Sequence, residues 1–165
     1  MAVNISDIKT QFKSIMDAAN IVGATYYLST GMNKPVNKVF KVNPLKIPIT
    51  ATKYPYVTIY SDIKDIQQTN INTTFKIAKF GANLSMLVVG GVWETKVTNE
   101  TEDNADEEIE KLMENIEEIL RRNHTLNGTV KWCKLERVEY HTLPISEDVH
   151  IRYGVGNLMV RIDEY

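Results

Sequence analysis

The chain has 165 residues, 43% of them apolar and 24% charged, and 19 basic against 21 acidic residues leave a formal charge of −2. This is the composition of a folded domain, not of a disordered tail. The near-neutral balance supplies no strong field for DNA or an anionic membrane surface, and no apolar run approaches the roughly 18 residues of a membrane span.

A first helix is predicted over 5–20. Ile5, Ile8, Phe12, Ile15, Met16 and Ala19 recur at spacings of three and four and form one stripe. Asn4 or Ser6 is placed to cap it, Asp7 suits the positive end of its dipole, and Gly23 marks its end. Residues 30–53 are punctuated by Gly31, Pro35, Pro44 and Pro48. Val39–Val42 has strand character, but the prolines confine it to an edge or a loop. Tyr54–Tyr60 reads as a strand, with Tyr54, Tyr56, Thr58 and Tyr60 on one face and Val57 and Ile59 on the other. Ser61–Asn72 is polar and aperiodic, and reads as a projecting loop.

Residues 73–97 form the most strand-like stretch, with Gly81 as a bulge or bend. From Leu84 onward both faces are apolar: Leu84, Met86, Val88 and Val92 on one, Leu87, Val89 and Trp93 on the other. A strand with one wet face would alternate apolar with polar, so both faces are expected to be covered. A second helix is predicted over 104–122, with Ile109, Leu112, Met113, Ile116, Ile119 and Leu120 as its stripe. Asn104 with Glu107 resembles a capping box, and Glu107–Lys111, Glu117–Arg121 and Glu118–Arg122 are potential ion pairs one turn apart. A strand follows at about 128–141, with Val130, Trp132, Val138 and Tyr140 on one face. Residues 143–149 read as a loop carrying Pro144, Glu147 and Asp148, and the last strand falls at about 157–163. These elements make a single α+β domain over 1–165: a mostly antiparallel sheet with two α-helices packed on one face.

Catalytic chemistry is hard to assemble from these residues. Cys133, His141 and Asp148 are the one nucleophile–base–acid set within a short stretch, but on a straight strand the thiol and imidazole would lie about 26 Å apart. The bland reading is a buried thiol and a strand-end histidine. His124, His141 and His150 lack metal-ligand spacing, and the acidic run 100–110 lacks the glycine-centred order of a calcium loop. Gly90-Gly91 lies inside a strand pattern and Gly154-Val155-Gly156 precedes a strand and not a helix, so neither reads as a phosphate loop. Lys34, Lys38, Lys41 and Lys46 read as a solvated basic loop and not as a nucleic-acid reader. The single cysteine excludes an internal disulfide and fits a reducing compartment. Asn-x-Ser/Thr recurs at Asn4, Asn72, Asn83, Asn99, Asn123 and Asn127. The opening MAVNISDIKTQ lacks a basic stretch followed by an apolar one, so neither a cleaved signal nor glycosylation is expected. No enzyme activity, metal or cofactor is expected.

Several strings carry a resemblance. They are the amphipathic first helix, YPYVTIY with Pro55 near its start, and NLSMLVVGGVWE running up to the second helix. RRNHTLNGTVKWCKLERVEY then follows directly, with Asn123, Thr125, Leu126, Gly128 and Val130 in a helix–turn–strand arrangement, and LMVRIDEY completes the set. The chain resembles the tail terminator (tail completion, head–tail joining) proteins of long-tailed bacteriophages. The 30–53 loop is longer and richer in proline than that pattern. The resemblance implies a structural virion protein, assembled in the host cytoplasm. Six copies form a ring on the head-proximal end of the tail tube, stop its growth and dock to the head connector, and DNA passes non-specifically through the lumen. Another phage neck subunit, or a small cytosolic ligand-binding or enzymatic α+β domain, is the alternative. On the ring reading Leu87, Val89 and Trp93 belong to the subunit interface. Asp62, Lys64, Asp65, Glu147 and Asp148 lie on loops that project, move in the free subunit and dock to neighbours. No membrane partner is expected.

Overall fold

The computed structural model describes residues 3–61, 82–95 and 105–162. Helix α1 spans Ile5–Ala19, and its predicted stripe is buried from Ile8 to Ala19, with Ile5 packed against the edge of the core. Asn4 is the cap. Its side-chain oxygen accepts the Asp7 N–H at 2.8 Å, and the Asp7 carboxylate accepts the Asn4 N–H at 3.3 Å, so two orphan donors are satisfied reciprocally. The helix ends before Gly23, at Asn20, whose amide side chain donates to the Val36 carbonyl at 2.9 Å.

Strand β1 is Lys38–Phe40, a three-residue edge strand parallel to β2, Tyr56–Tyr60. Short 3₁₀ turns at Pro44–Lys46 and Ala51–Lys53 lie between them. Strand β3 runs Ala82–Thr95 and helix α2 Ala105–Arg122. Residues 62–72 of the expected 61–72 loop, residues 73–81 (with Gly81) and 96–97 of the expected 73–97 strand, and the Asn104 cap lie outside the described residues. Strands β4, Trp132–Pro144, and β5, Val149–Ile162, complete a five-stranded sheet in the order β1-β2-β3-β5-β4, antiparallel except for β1 with β2. This is the expected α+β fold, with α1 over β1 and β2 and α2 over β3, β4 and β5.

Three features differ from the sequence reading. The last strand begins at Val149 instead of 157, so Leu143, Pro144 and Val149 of the expected 143–149 loop are strand and the turn shrinks to residues 145–148. Its glycines do not break it. Gly154 pairs with Gly90 of β3, and both lie beneath α2. A Cβ at Gly154 would fall 2.5 Å from Met113 Cγ, and one at Gly90 would fall 3.0 Å from Leu112 Cδ2 and 3.1 Å from Met113 Sδ. The two glycines form a slot that the helix side chains fill. The strand before it begins at Trp132 and not at 128. Residues Leu126, Asn127 and Gly128 have φ of 46°, 57° and 81°, a left-handed turn that reverses the chain, with Leu126 fully buried beneath it.

The third difference is the facing of β4. Glu136 pairs with Asn157 but Glu139 with Val155, so Arg137 and Val138 stand where the partner strand has Gly156 alone. This bulge, with Arg137 at φ 48°, switches the facing of the strand. Val130, Trp132, Val138 and Tyr140 therefore do not share a face. Cys133 and Leu135 are the buried pair, while Trp132 and Tyr140 are 38% and 46% exposed.

Helix α2 is held on a second side by polar contacts. The Glu108 carboxylate accepts the Asn33 N–H at 2.5 Å, and Asn115 Nδ2 donates to the Leu28 and Thr30 carbonyls at 2.9 Å each. One helix face thus grips the sheet while Glu108 and Asn115 grip the loop after α1. Arg152 ties the start of α2 to three strands: its Nε lies 3.0 Å from Glu94 and 3.0 Å from Asp106, and its guanidinium also donates to Thr142. On the outer surface Glu118 pairs with both Arg121 and Arg122, so Arg121 takes Glu118 and not the expected Glu117.

The slot gives a direct test. Gly154→Ala forces its methyl against Met113 and should cost about 1–3 kcal/mol by overpacking, read from chemical denaturation. Met113→Ala leaves a cavity costing about 2–5 kcal/mol. The double variant should lose clearly less than the sum. Strict additivity would show that Met113 does not fill the slot.

Candidate functional site

The helices cover one face of the sheet. The other carries Tyr56, Thr58 and Tyr60 of β2 opposite Gly91, Val89 and Leu87 of β3, and the odd-numbered residues of β5 beyond them. Its two ends differ. At one, Ser85 hydrogen-bonds Asn157 and the surface is polar. At the other, a second apolar cluster forms from Ile47, Tyr54, Tyr56 and Ile151, with Phe40, Trp93 and Tyr153 packed against it. The Tyr54 ring lies 4.9 Å from Tyr56 and 5.6 Å from Trp93, and Phe40 meets Tyr56 edge-on at 6.0 Å. Gly91 makes room for these rings: a Cβ there would sit 2.8 Å from Tyr56 and 3.0 Å from Tyr54. The hydroxyls of Tyr54 and Tyr153 are 3.1 Å apart. Burial above all holds Tyr54 and Tyr56 in their neutral form well beyond the ordinary phenol range.

The chain from Asn43 to Tyr54 runs over this end as a strap. Asn43 accepts the Leu45 N–H at 2.9 Å to start its first turn, Asn37 Nδ2 donates to the Thr52 carbonyl at 2.9 Å, and Ile47 inserts until it is 4% exposed. Between strap and sheet lies an open groove of about 330 Å³, with Val89, Val155 and Tyr153 among its lining and Leu45, Ile49 and Leu143 at its walls. Tyr60, His141 and Tyr153 are the lining residues with polar side-chain groups. The arrangement is a concave apolar surface with few hydrogen-bonding groups, suited to packing against another apolar surface.

Leu87, Val89 and Trp93 do share this face. Val89 is 3% exposed in the groove, Trp93 is partly covered by the chain's own Tyr54, and Leu87 is half-buried between Tyr60 and Asn157. Part of the expected cover is therefore intramolecular. Glu147 and Asp148 are exposed in the β4–β5 turn, while Asp62, Lys64 and Asp65 lie outside the described residues. The β4 bulge also separates Cys133 from His141: the thiol points to the helix side with Val160, the imidazole to the groove side with Tyr153. His150 lies on the helix side and His124 in the turn after α2. Among the described residues no three His, Cys, Asp or Glu side chains converge to hold a metal.

The strap was missed in the sequence, although Ile47 and Ile49 around Pro48 are more apolar than a solvated loop requires. Tyr153 was missed because the glycines beside it suggested that no strand ran there. No protein-family model and no curated protein matches the chain.

Burial pushes the Cys133 thiol from 9.0 up to about 12. The folded protein thus holds this proton more tightly than the unfolded chain. Its contribution to stability is complete below pH 9.0 and is lost as pH rises toward about 12, and the raised tyrosines act in the same direction above 10.0. Unfolding free energy should fall across that window, and Cys133→Val should flatten part of the slope. At pH about 8 a thiol reagent should label native protein slowly and unfolded protein at once. Rapid native labelling would mean that the thiol is accessible.

Proposed function

We propose that this chain is a ring-forming tail terminator. It caps the head-proximal end of a bacteriophage tail tube and joins it to the head connector, and it does no catalytic chemistry. The observation that carries the reading is the apolar rim of the groove. Leu45 is 93% exposed, Ile49 51% and Leu143 41%, and all three line the groove. Three large exposed apolar side chains around one groove form a surface that calls for a protein partner. The order of elements and the Asn123–Val130 turn add the family resemblance. No helix among the described residues is long and apolar enough to cross a membrane. On this reading the protein works in the virion after assembly in the host cytoplasm. A hexamer would have a mass of about 113 kDa, six times 18.8 kDa.

Leu45→Asp and Ile49→Asp test the rim without entering the core. Each should leave the monomer's stability within about 0.5 kcal/mol, because both side chains face solvent. At a subunit contact each would bury an unpaired charge at about 2–5 kcal/mol. The measurement is ring formation and capping of tail tubes by negative-stain electron microscopy. Wild-type protein should give rings and tubes of fixed length, and the variants open-ended growth. A wild type that never binds tube ends, and instead takes up a small ligand in the groove, would favour the ligand-binding reading.

A further inference from the structure

The layer is electrically lopsided. From Ala18 to Ser61 there are five lysines and no aspartate or glutamate. Helix α2 carries seven acids, Asp106, Glu107, Glu108, Glu110, Glu114, Glu117 and Glu118, against Lys111, Arg121 and Arg122. The topology puts these two populations at opposite ends. Lys38, Lys41, Lys46 and Lys53 belong to the β1 edge and the strap, whereas Lys34 follows Asn33 in the loop that Glu108 holds; α2 lies over β3, β5 and β4, toward the other edge.

Among the described residues neither set is fully neutralised. Lys34, Lys38, Lys41, Lys46 and Lys53 are all exposed. Among the described residues none of them has a carboxylate partner: Lys38 lies over the Phe40 ring and Lys41 reaches the Thr10 hydroxyl. At the far end Arg121 and Arg122 are taken by Glu118, Lys111 by Glu107 and Lys134 by Glu136. Glu110, Glu114 and Glu117 have no cation partner among the described residues, and all three act electrostatically on the half-exposed Tyr140 of β4. Along the same edge an open groove of about 360 Å³ is lined by Glu117, Trp132 and Leu135 together with Arg121, His124 and Lys134. The exposed Tyr140 ring among unpaired carboxylates forms a receptor for lysines, which can pair with the charge and lie over the ring.

We infer that the β1 edge of one copy docks on the α2–β4 flank of a second copy, with Lys38, Lys41 and Lys53 facing Glu110, Glu114, Glu117 and Tyr140. This rests on the ring reading and names the two surfaces that would meet. Complementary patches at opposite ends of one subunit make a heterologous, head-to-tail contact, the kind that closes into a ring when the rotation allows. Edge lysines also discourage strand-on-strand aggregation, and that role alone would not require an acceptor at the other end.

Two charge-reversed proteins test the contact. One, Lys38→Glu/Lys41→Glu/Lys53→Glu, is acidic at both ends. The other, Glu110→Lys/Glu114→Lys/Glu117→Lys, is basic at both ends. Circular dichroism melting should show both folded, since every changed residue is exposed. Sedimentation velocity should show each alone self-associating at least about tenfold more weakly than wild type, and an equimolar mixture restoring association. Wild-type association should weaken as salt rises from about 50 mM to about 500 mM. If neither variant changes assembly, the contact is overturned while the ring reading stands. If wild type forms no ring in solution or on tube ends, the ring reading falls. The mixture still decides the contact, because association supports it and continued monomer overturns it. If the lysine variant assembles normally but loses retention on duplex DNA, the lysines face nucleic acid and the contact is overturned.

Discussion

The fold depends on how closely α2 can approach the sheet. Gly90 and Gly154 face one another across the two central strands, and Met113 and Leu112 occupy the space their missing side chains leave. A helix normally rides on a carpet of side chains, about 10 Å from the strands beneath. Here the carpet has a gap at its centre, and the apolar stripe from Ile109 to Leu120 seats into it. With the helix position fixed, Arg152 can reach both Glu94 and Asp106, and Glu108 and Asn115 can hold the loop after α1. The polar contacts around α2 therefore follow from an apolar fit.

The same device operates on the other face. Gly91 is the neighbour of Gly90 and points the opposite way, admitting Tyr54 and Tyr56 as Gly90 admits Leu112 and Met113. The Gly90-Gly91 dipeptide thins the sheet on both sides at one level. That explains how β3 can be apolar on both faces without a second complete layer: helices cover one face, and a short strap with a few aromatic rings covers half of the other. What the described residues leave uncovered is the remainder of that face and its rim.

Periodicity made the helices legible. Their stripes recur over four or five turns, and a misplaced residue at either end does not alter the pattern. The α+β class followed, because neither stripe could be buried except on the strands. The facing of β4 was not legible, because a bulge changes parity without changing composition, and Arg137 gives no sign that it will take a positive φ. The start of β5 was hidden for a related reason. Gly154 and Gly156 look like breakers in one dimension, and only the side chains of Met113 and Leu135 lying over them show why glycine is needed there. At the candidate site, Leu87, Val89 and Trp93 were placed on one face by alternation alone. Tyr54 over Trp93, and the strap across them, depend on contacts between segments distant in sequence that no local pattern records.

The strand order also bears on synthesis. Strand β5 is the last of the described strands to leave the ribosome, yet it lies inside the sheet, between β3 and β4. Until residues 149–162 have been made, β3 and β4 have no common neighbour, and α2 has only one side of its glycine slot to rest on. The nascent chain can form α1, the β1–β2 pair and α2 locally, but it cannot close its core. Folding is therefore held back until the final hairpin arrives, and then that one segment completes two strand pairings and the helix seat together. A protein built this way passes from open to closed in one late step, and its exposed apolar strand edges are a hazard confined to the interval before that step.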